Sequence, residues 1–397
     1  MLAATVLVAA CSTTPHRAPH GETPPPERPQ PKPAEPPKPP APRNAIEAGI
    51  SAGPPVSALD LSADQAGAAR DAFLASCRSL LKRKDLTGLT QPTDWAPACT
   101  AAAVPGSDPV AFFQSQFETL LVGNGALFAT GYYAPEIEGS RTHDAGYDVP
   151  VYRRPPDLVE MDSGVAAGGP PTGKKVRGRM QDGQFAPYYD RAAIDAGALA
   201  NQGLEIAWVQ DPVALFEVQV QGSGRIQLAE GGVMNLGFDG SNNRTYTAIG
   251  NVLLEQGAFK SKEQATWPAI RDWLKRNPQQ ARDVMRKNER YIFFKDTRTG
   301  GAIGAEGVPL TAQRSMAADT AFTPYGTPVW IDTTRPVTRR AGANEGYRRL
   351  LIAQDAGAAI QGPARGDVFF GGGAQAADWA GRMNSAGRAI VLVPNKG

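Results

Sequence analysis

Hydrophobic residues recur at helical spacing in the first part of the chain that can fold. Within residues 62–84, one predicted helical face carries Phe73, Cys77, Leu80 and Leu81. A second helix is predicted to begin at Asp108, because a capping side chain there precedes a proline, Pro109, at the first helical position. Three further helices are predicted in the middle of the chain and one near its end, at about 246–256, 262–276, 278–287 and 374–383.

Elsewhere the pattern predicts short strands. Residues 216–221 alternate between apolar and polar side chains, which is typical of a half-buried strand. The predicted strands are 126–133, 149–153, 205–209, 216–221, 291–295, 328–332, 349–354, 367–370 and 389–393. Short strands separated by glycine-rich turns, with few long helices, favour a mainly β fold with a barrel-like region.

Charge and histidine content exclude several classes of function. The chain has 397 residues, of which 42% are hydrophobic, and a formal net charge of only +2. A nucleic-acid-binding protein usually shows a basic face, so nucleic acid is not an expected partner. The three histidines are His16, His20 and His143, and the first two fall in a proline-rich segment. One remaining histidine suits neither a catalytic triad nor a zinc site. We therefore expect carboxylates as proton carriers, with no metal and no cofactor.

The amino terminus has the features of a secretion signal followed by a membrane anchor and a linker. Residues 1–10 are apolar and end in small residues before Cys11, which resembles the site where a lipoprotein signal peptide is cut and the cysteine is lipidated. Residues 11–45 are dominated by proline and predict an extended linker with a reach of roughly 90 Å. The serine after Cys11 favours the periplasmic face of the outer membrane of a Gram-negative bacterium. Membrane contact is thus expected through this anchor.

Two cysteines remain for the folded part, Cys77 and Cys99. An even number of cysteines in an oxidising compartment fits one disulfide. Two buried free thiols are the alternative. Neither cysteine has a nearby histidine to activate it, so both readings are structural.

Three aspartates near the carboxyl terminus, Asp319, Asp355 and Asp367, each lie where an apolar strand meets a turn. Asp355 follows an apolar run and precedes small residues that let a ligand approach the backbone. A carboxyl at such a strand end is partly desolvated, which raises its pKa and keeps a proton available. The pattern alone also fits aspartates that cap turns.

Several long segments resemble the membrane-bound lytic murein transglycosylase A family. The segments around the three aspartates resemble that family's three-aspartate domain. The other matching segments are 130–141, 204–208, 216–226 and 291–294. The resemblance covers about residue 60 to the end. It departs from the family after Asp355, where this chain has Ala356, Ala358 and Gln361.

The resemblance implies a mainly β (α+β) architecture with peripheral helices. A double-psi β-barrel catalytic domain would use 60–135 and 291–397, with the three-aspartate domain at 296–397. A smaller, mostly β insert domain, 136–290, would form the other wall of a glycan groove.

The resemblance also implies the chemistry. Asp355 would be the sole general acid/base of a peptidoglycan lytic transglycosylase, which cleaves the β-1,4 bond after N-acetylmuramic acid and leaves 1,6-anhydro ends. Asp319 and Asp367 would support it. Of the paired tyrosines, we expect Tyr133 to face the groove. The predicted substrate-binding residues are Thr130, Tyr133, Gln221, Gly222, Ser223 and Gly224.

Two other functions stay open at this point. A glycan hydrolase on the same fold would use a second aspartate, and a peptidoglycan-binding lipoprotein would need no catalysis. Under either transglycosylase or hydrolase chemistry the substrate is the glycan strand of peptidoglycan. The protein is expected to be a monomer, with cell-wall synthesis or division proteins as candidate partners.

Overall fold

The structure is a computed structural model that describes residues 41–297, 301–338 and 342–395. The predicted signal peptide, lipidation at Cys11 and most of the proline-rich linker lie outside the described residues. Among the helices that are described, none has both the length and the apolar composition needed to cross a membrane.

Strands dominate the fold, as the alternating pattern predicts. In chain order they are β1 (Ile50–Ala52), β2 (Phe117–Val122), β3 (Ala126–Ala134), β4 (Glu136–Ser140), β5 (Val149–Tyr152), β6 (Val159–Asp162), β7 (Lys175–Gln181), β8 (Gln184–Pro187), β9 (Glu205–Val209), β10 (Gly224–Leu228), β11 (Val233–Ser241), β12 (Ile292–Asp296), β13 (Ser315–Ala318), β14 (Pro328–Pro336), β15 (Asn344–Asp355), β16 (Arg365–Gly372) and β17 (Asn384–Pro394).

Most helices begin at a side chain or proline that suits a helix start. In chain order they are α1 (Ala45–Ala48), α2 (Ala63–Leu80), α3 (Ala96–Ala102), α4 (Pro109–Gln116), α5 (Ser163–Ala166), α6 (Arg191–Asp195), α7 (Pro212–Gln221), α8 (Ile249–Glu255), α9 (Trp267–Arg276), α10 (Pro278–Arg286) and α11 (Gly373–Arg382). As predicted, α4 starts at Pro109 with the Asp108 carboxylate accepting from two backbone N–H groups.

The largest sheet is nearly closed and barrel-like. Its eight strands follow the order β1-β2-β17-β14-β15-β13-β16-β3, and β3 also pairs with β17. That additional pairing joins six of the strands into a ring, which removes most exposed strand edges. The mainly β architecture is therefore confirmed, while the double-psi crossing of the chain stays a prediction.

Alternate residues of β15 face two separate cores. Leu350 and Ile352 pack with helices α2, α3 and α4, whereas Leu351 and Ala353 pack with α11 and the opposite face of neighbouring strands. Period-two alternation puts successive side chains on opposite faces of a strand. The strand that ends at Asp355 is consequently buried on both faces, which fixes where that carboxyl lies.

The middle of the chain forms a second sheet. Six strands follow the order β12-β11-β10-β4-β9-β5, and three more form a separate small sheet, β6-β7-β8. Helix α7 packs on the six-stranded sheet and, through its other side, against α8, α9 and α10. Because β3 of the barrel-like sheet leads directly into β4, the two sheets are joined at this point.

The prediction of a strand at 216–221 is wrong, because these residues form the end of helix α7. Asp211 caps the helix, Pro212 occupies its first position, and Gly222 ends it in the left-handed region at φ 81°. The polar residues of the alternating pattern, Glu217 and Gln219, are buried among partners rather than facing solvent. In this segment the residues at the two helix ends predict the structure better than the alternation of apolar and polar side chains does.

A disulfide joins Cys77 of α2 to Cys99 of α3. Its partners are 22 positions apart. Removing the bond by the paired change Cys77→Ser and Cys99→Ser should lower the free energy of unfolding by about 3 kcal/mol, since the unfolded chain regains the freedom of that loop. Urea unfolding of both proteins measures the difference. An unchanged midpoint would contradict the expectation.

Candidate active site

Four neighbouring strands of the barrel-like sheet place three polar side chains and one alanine in one row. Asp355 at the end of β15 lies beside Ala317 of β13, and Ala317 lies beside Asp367 of β16. Asp367 in turn pairs with Thr130 of β3. Adjacent strands are about 4.8 Å apart, so the two carboxyls flank a single alanine. A β-bulge before Ala317 shifts the register that brings Asp355 into the row.

The Asp355 carboxyl is half-buried and held by three donors. Its Oδ1 accepts the backbone N–H of Ala305 at 2.8 Å and that of Ala356 at 2.9 Å. Its Oδ2 accepts the hydroxyl of Tyr132 at 2.8 Å. Burial raises the pKa of Asp355 above its ordinary value, and the three donors oppose that rise in part. The group is thus held at both oxygens, and its burial favours the protonated form.

Asp367 is a second carboxyl with a raised pKa. Burial is the main cause and raises its pKa to about 6, with a smaller contribution from the charge of Asp355. The hydroxyl of Thr130, which donates to Asp367 Oδ1 at 2.8 Å, and the Arg365 guanidinium lower the pKa. Two carboxyls that repel in this way do not ionise independently, so ionisation of one favours a proton on the other.

Asp319 has a structural position. Its carboxylate accepts the backbone N–H of Ala321 at 3.0 Å and that of Gly362 at 2.7 Å. Gly362 has φ 87°, a conformation that favours glycine. Asp319 therefore ties two turns together, one of them the turn that closes the segment following Asp355.

A groove with a cavity volume of about 300 Å³ opens over this row. The barrel side of the groove includes Thr130, Tyr132, Ala317, Asp355, Arg365 and Asp367. The facing wall includes Arg191, Gln219, Gln221, Gly222, Tyr246 and Arg290. The predicted residues Thr130, Gln221, Gly222, Asp355 and Asp367 thus meet at one cavity.

Two family models match this chain, and together they cover the residues that line the groove. The family model described as MltA specific insert domain matches residues 128–295, and the 3D domain model matches 314–393. Membrane-bound lytic murein transglycosylase A of Vibrio cholerae is 30% identical over 294 residues, 72% of this chain and 71% of that protein. The chain belongs to the membrane-bound lytic murein transglycosylase A family. The Escherichia coli K12 member is 32% identical over 272 residues, 68% of this chain and 66% of that protein.

Solved structures of this family share the fold. MltA of Neisseria gonorrhoeae matches with a TM-score of 0.72 at 28% identity, covering 88% of this chain and 93% of that chain. The Agrobacterium tumefaciens enzyme matches with a TM-score of 0.73 at 29% identity, covering 87% and 97%. E. coli MltA with bound chitohexaose matches with a TM-score of 0.59 at 25% identity, covering 87% and 92%.

Tyr133 lies outside the groove. The expectation that Tyr133 faces the groove is wrong, because its ring is buried in the core and its hydroxyl donates to Glu217 of α7. Its neighbour Tyr132 points the other way, toward Asp355. Successive side chains of β3 alternate between faces, so the sequence limits the choice to one tyrosine but does not select it.

Two further predicted residues lie outside the cavity lining. Ser223 is buried, and Gly224 begins β10, where a Cβ would lie 3.0 Å from the Pro135 carbonyl oxygen. Their roles are consistent with packing the turn after α7. Gln221 does reach the groove, and its Oε1 also accepts the Tyr133 backbone N–H at 3.0 Å.

Other residues at this groove carry no clear sequence signal. The Ala305 N–H reaches Asp355 from a loop fifty positions earlier in the chain. Arg191 and Tyr246 come from the middle of the chain. The position of Gln219 at the groove could be predicted only by recognising α7 as a helix. The available signals are Asp211 and Pro212 at its start and Gly222 at its end.

Proposed function

We propose that this chain is a peptidoglycan lytic transglycosylase that cleaves the β-1,4 bond between N-acetylmuramic acid and N-acetylglucosamine and forms 1,6-anhydromuramic acid ends. The observation that supports this most strongly is a half-buried carboxyl, Asp355, with a raised pKa at the wall of a groove in a chain of this family.

Asp355 serves in this proposal as both acid and base. It first donates its proton to the glycosidic oxygen, which lets the bond to the muramic acid C1 break. The C6 hydroxyl of the same sugar then attacks C1 and gives its proton to the Asp355 carboxylate. Because the nucleophile belongs to the substrate, intramolecular attack has a large effective concentration and no second carboxylate is needed.

The groove supplies the contacts for a sugar chain. Thr130, Gln221 and Tyr246 present hydroxyl and amide groups, which suit the hydroxyls and N-acetyl groups of the glycan. We assign the barrel-like sheet to a catalytic domain and the six-stranded sheet to an insert domain, with the glycan between them. Because β12 belongs to the six-stranded sheet, the insert domain extends past the predicted boundary at residue 290 to Asp296. The chitohexaose bound to E. coli MltA, a β-linked amino-sugar chain, supports this class of ligand.

We also propose a Gram-negative envelope location, with a lipid on Cys11 holding the protein at the outer membrane. The proline-rich linker would then let the folded part reach the glycan layer. The membrane-bound relatives of E. coli and V. cholerae support an envelope enzyme.

Product masses from purified sacculi test the reaction. The proposed lyase releases fragments with 1,6-anhydro ends, each one water molecule lighter than a hydrolysis product. Reducing ends would instead support a hydrolase that uses a second aspartate, Asp319 or Asp367. Glycan binding without any release would support a binding lipoprotein.

The change Tyr132→Phe should move the alkaline limb of the pH–rate profile upward by about one pH unit. The hydroxyl stabilises the ionised form of Asp355, and its loss raises the pKa of that carboxyl. Since the acid acts in its protonated form, activity then persists to higher pH. The profile of sacculus turnover measures the shift.

Tyr133→Phe is the matched control, because that hydroxyl contacts Glu217 and not Asp355. It should leave the limb in place. Equal shifts of the alkaline limb in Tyr132→Phe and Tyr133→Phe would contradict the conclusion that the Tyr132 hydroxyl lowers the pKa of Asp355.

A further inference from the structure

Glu306 is a buried carboxyl outside the groove lining, and the proposed mechanism gives it no role. Its side chain is 5% exposed. Its Oε2 accepts the hydroxyl of Ser76 in α2 at 2.7 Å. The Arg83 guanidinium donates to the main-chain oxygen of Glu306 at 3.2 Å rather than to the carboxyl. Carboxyl groups are rarely buried unless they have a structural or functional role.

Ser76 connects Glu306 to the end of β15. The Gln354 amide donates to Ser76 Oγ at 3.0 Å and to the Ala72 carbonyl oxygen at 2.8 Å. The Gln354 oxygen accepts the hydroxyl of Ser315 at 2.6 Å. Gln354 directly precedes Asp355, so this buried network fixes the strand end from the side away from the groove.

The loop that carries Glu306, residues 301–311, is also tied to the strand end from the other side. The Glu306 N–H donates to the Gln354 carbonyl oxygen at 3.2 Å, and the Ala305 N–H donates to Asp355 Oδ1 at 2.8 Å. A Cβ on Gly304 would lie 2.3 Å from the Gln354 oxygen, so only glycine permits this approach.

We propose that Glu306 is a positioning residue for Asp355. Its carboxyl anchors the 301–311 loop to helix α2, and the anchored loop holds the Ala305 N–H on the Asp355 carboxyl. This inference rests on the proposed function of Asp355 as the acid. Glu306 itself touches neither the groove nor the substrate.

The surroundings raise the pKa of the carboxyl at this anchor. Burial raises the pKa of Glu306 to about 7, while Ser76, Ser79 and, more weakly, the charge of Arg83 lower it. Tyr325 faces the same region, and its pKa is raised to about 12 chiefly by burial, with contributions from Asp355 and Glu306. The oxygen of a glutamine side chain can accept the Ser76 hydroxyl in the same way, so Glu306→Gln should keep this anchor.

Glu306→Ala, Glu306→Gln and Gly304→Ala test the proposal on sacculus turnover across pH. Glu306→Ala should lower kcat about tenfold at unchanged KM, because one hydrogen bond to the reacting carboxylate is lost. The same loss raises the pKa of Asp355 and moves the alkaline limb upward. Glu306→Gln should stay within about twofold of the parent protein, because its amide oxygen can still accept the Ser76 hydroxyl.

Gly304→Ala should displace the 301–311 loop without changing a residue that contacts α2. It therefore tests whether the loop position affects Asp355, even if Glu306→Ala does not fold. It should shift the alkaline limb in the same direction. A folded Glu306→Ala or Gly304→Ala protein with the parent kcat and the parent limb would overturn the positioning role. Turnover that survives Asp355→Asn would instead overturn the proposed function, whatever the loop variants do.

Discussion

Replacing Asp355 by asparagine should reduce turnover of sacculi by about 10³-fold, the range expected when a general acid is lost. The amide has nearly the same shape and still accepts the Ala305 N–H, but it has no proton to transfer to a glycosidic oxygen. Binding of glycan fragments should persist. Initial rates of soluble product release, with pull-down on sacculi, measure both quantities.

Stability gives an independent readout of the same variant. A carboxyl whose pKa is raised by folding contributes its stabilisation below the unfolded-state pKa and loses it as pH rises through the folded-state value. At neutral pH, which lies above the unfolded-state pKa, burial of Asp355 therefore costs stability, and Asp355→Asn, which does not titrate, should unfold at a higher temperature than the parent protein. A lower Tm together with lost activity would indicate simple misfolding and contradict this reading.

Arg191→Leu should lower the free energy of unfolding by about 3 to 5 kcal/mol, because buried acceptors lose their donor. The guanidinium donates to the carbonyl oxygens of Asn288 and Arg290 at 2.9 and 2.6 Å, and to Gln219 Oε1 at 2.5 Å. It also lies 4.7 Å from the Phe216 ring centroid. Urea unfolding measures the loss.

Arg348→Leu is the control for that prediction. Arg348 forms an exposed ion pair with Asp332 at 3.1 Å, and such pairs contribute about 1 kcal/mol or less. Equal losses of unfolding free energy in the two variants would contradict the prediction that the buried hydrogen bonds of Arg191 stabilise the protein more than the exposed ion pair of Arg348.

The strand end at Asp355 could be predicted because its signal is local. An apolar run that stops at an aspartate followed by small residues predicts a buried strand and a turn, and β15 ends at that residue. The family resemblance then singled out Asp355 among the three aspartates. Both signals are carried by a short stretch of chain.

Contacts between distant segments could not be predicted in the same way. Ser76 and Glu306 are 230 positions apart, and nothing in either local sequence indicates their contact. The choice between Tyr132 and Tyr133 depends on which face of β3 turns toward Asp355, which is set by strand register. The prediction of a strand at 216–221 is wrong for a related reason. Helix α7 buries polar residues such as Glu217 and Gln219 as well as apolar ones, so the alternation does not mark one buried and one exposed face.

A structure of the Asp355→Asn protein with a peptidoglycan glycan fragment bound tests the central claim most directly. The account predicts the bridging oxygen between a muramic acid and the next sugar within about 3 Å of the side chain at position 355, the reach of a proton donor. A fragment bound in the groove with that oxygen nearer to Asp367, or bound away from this row of strands, would contradict it.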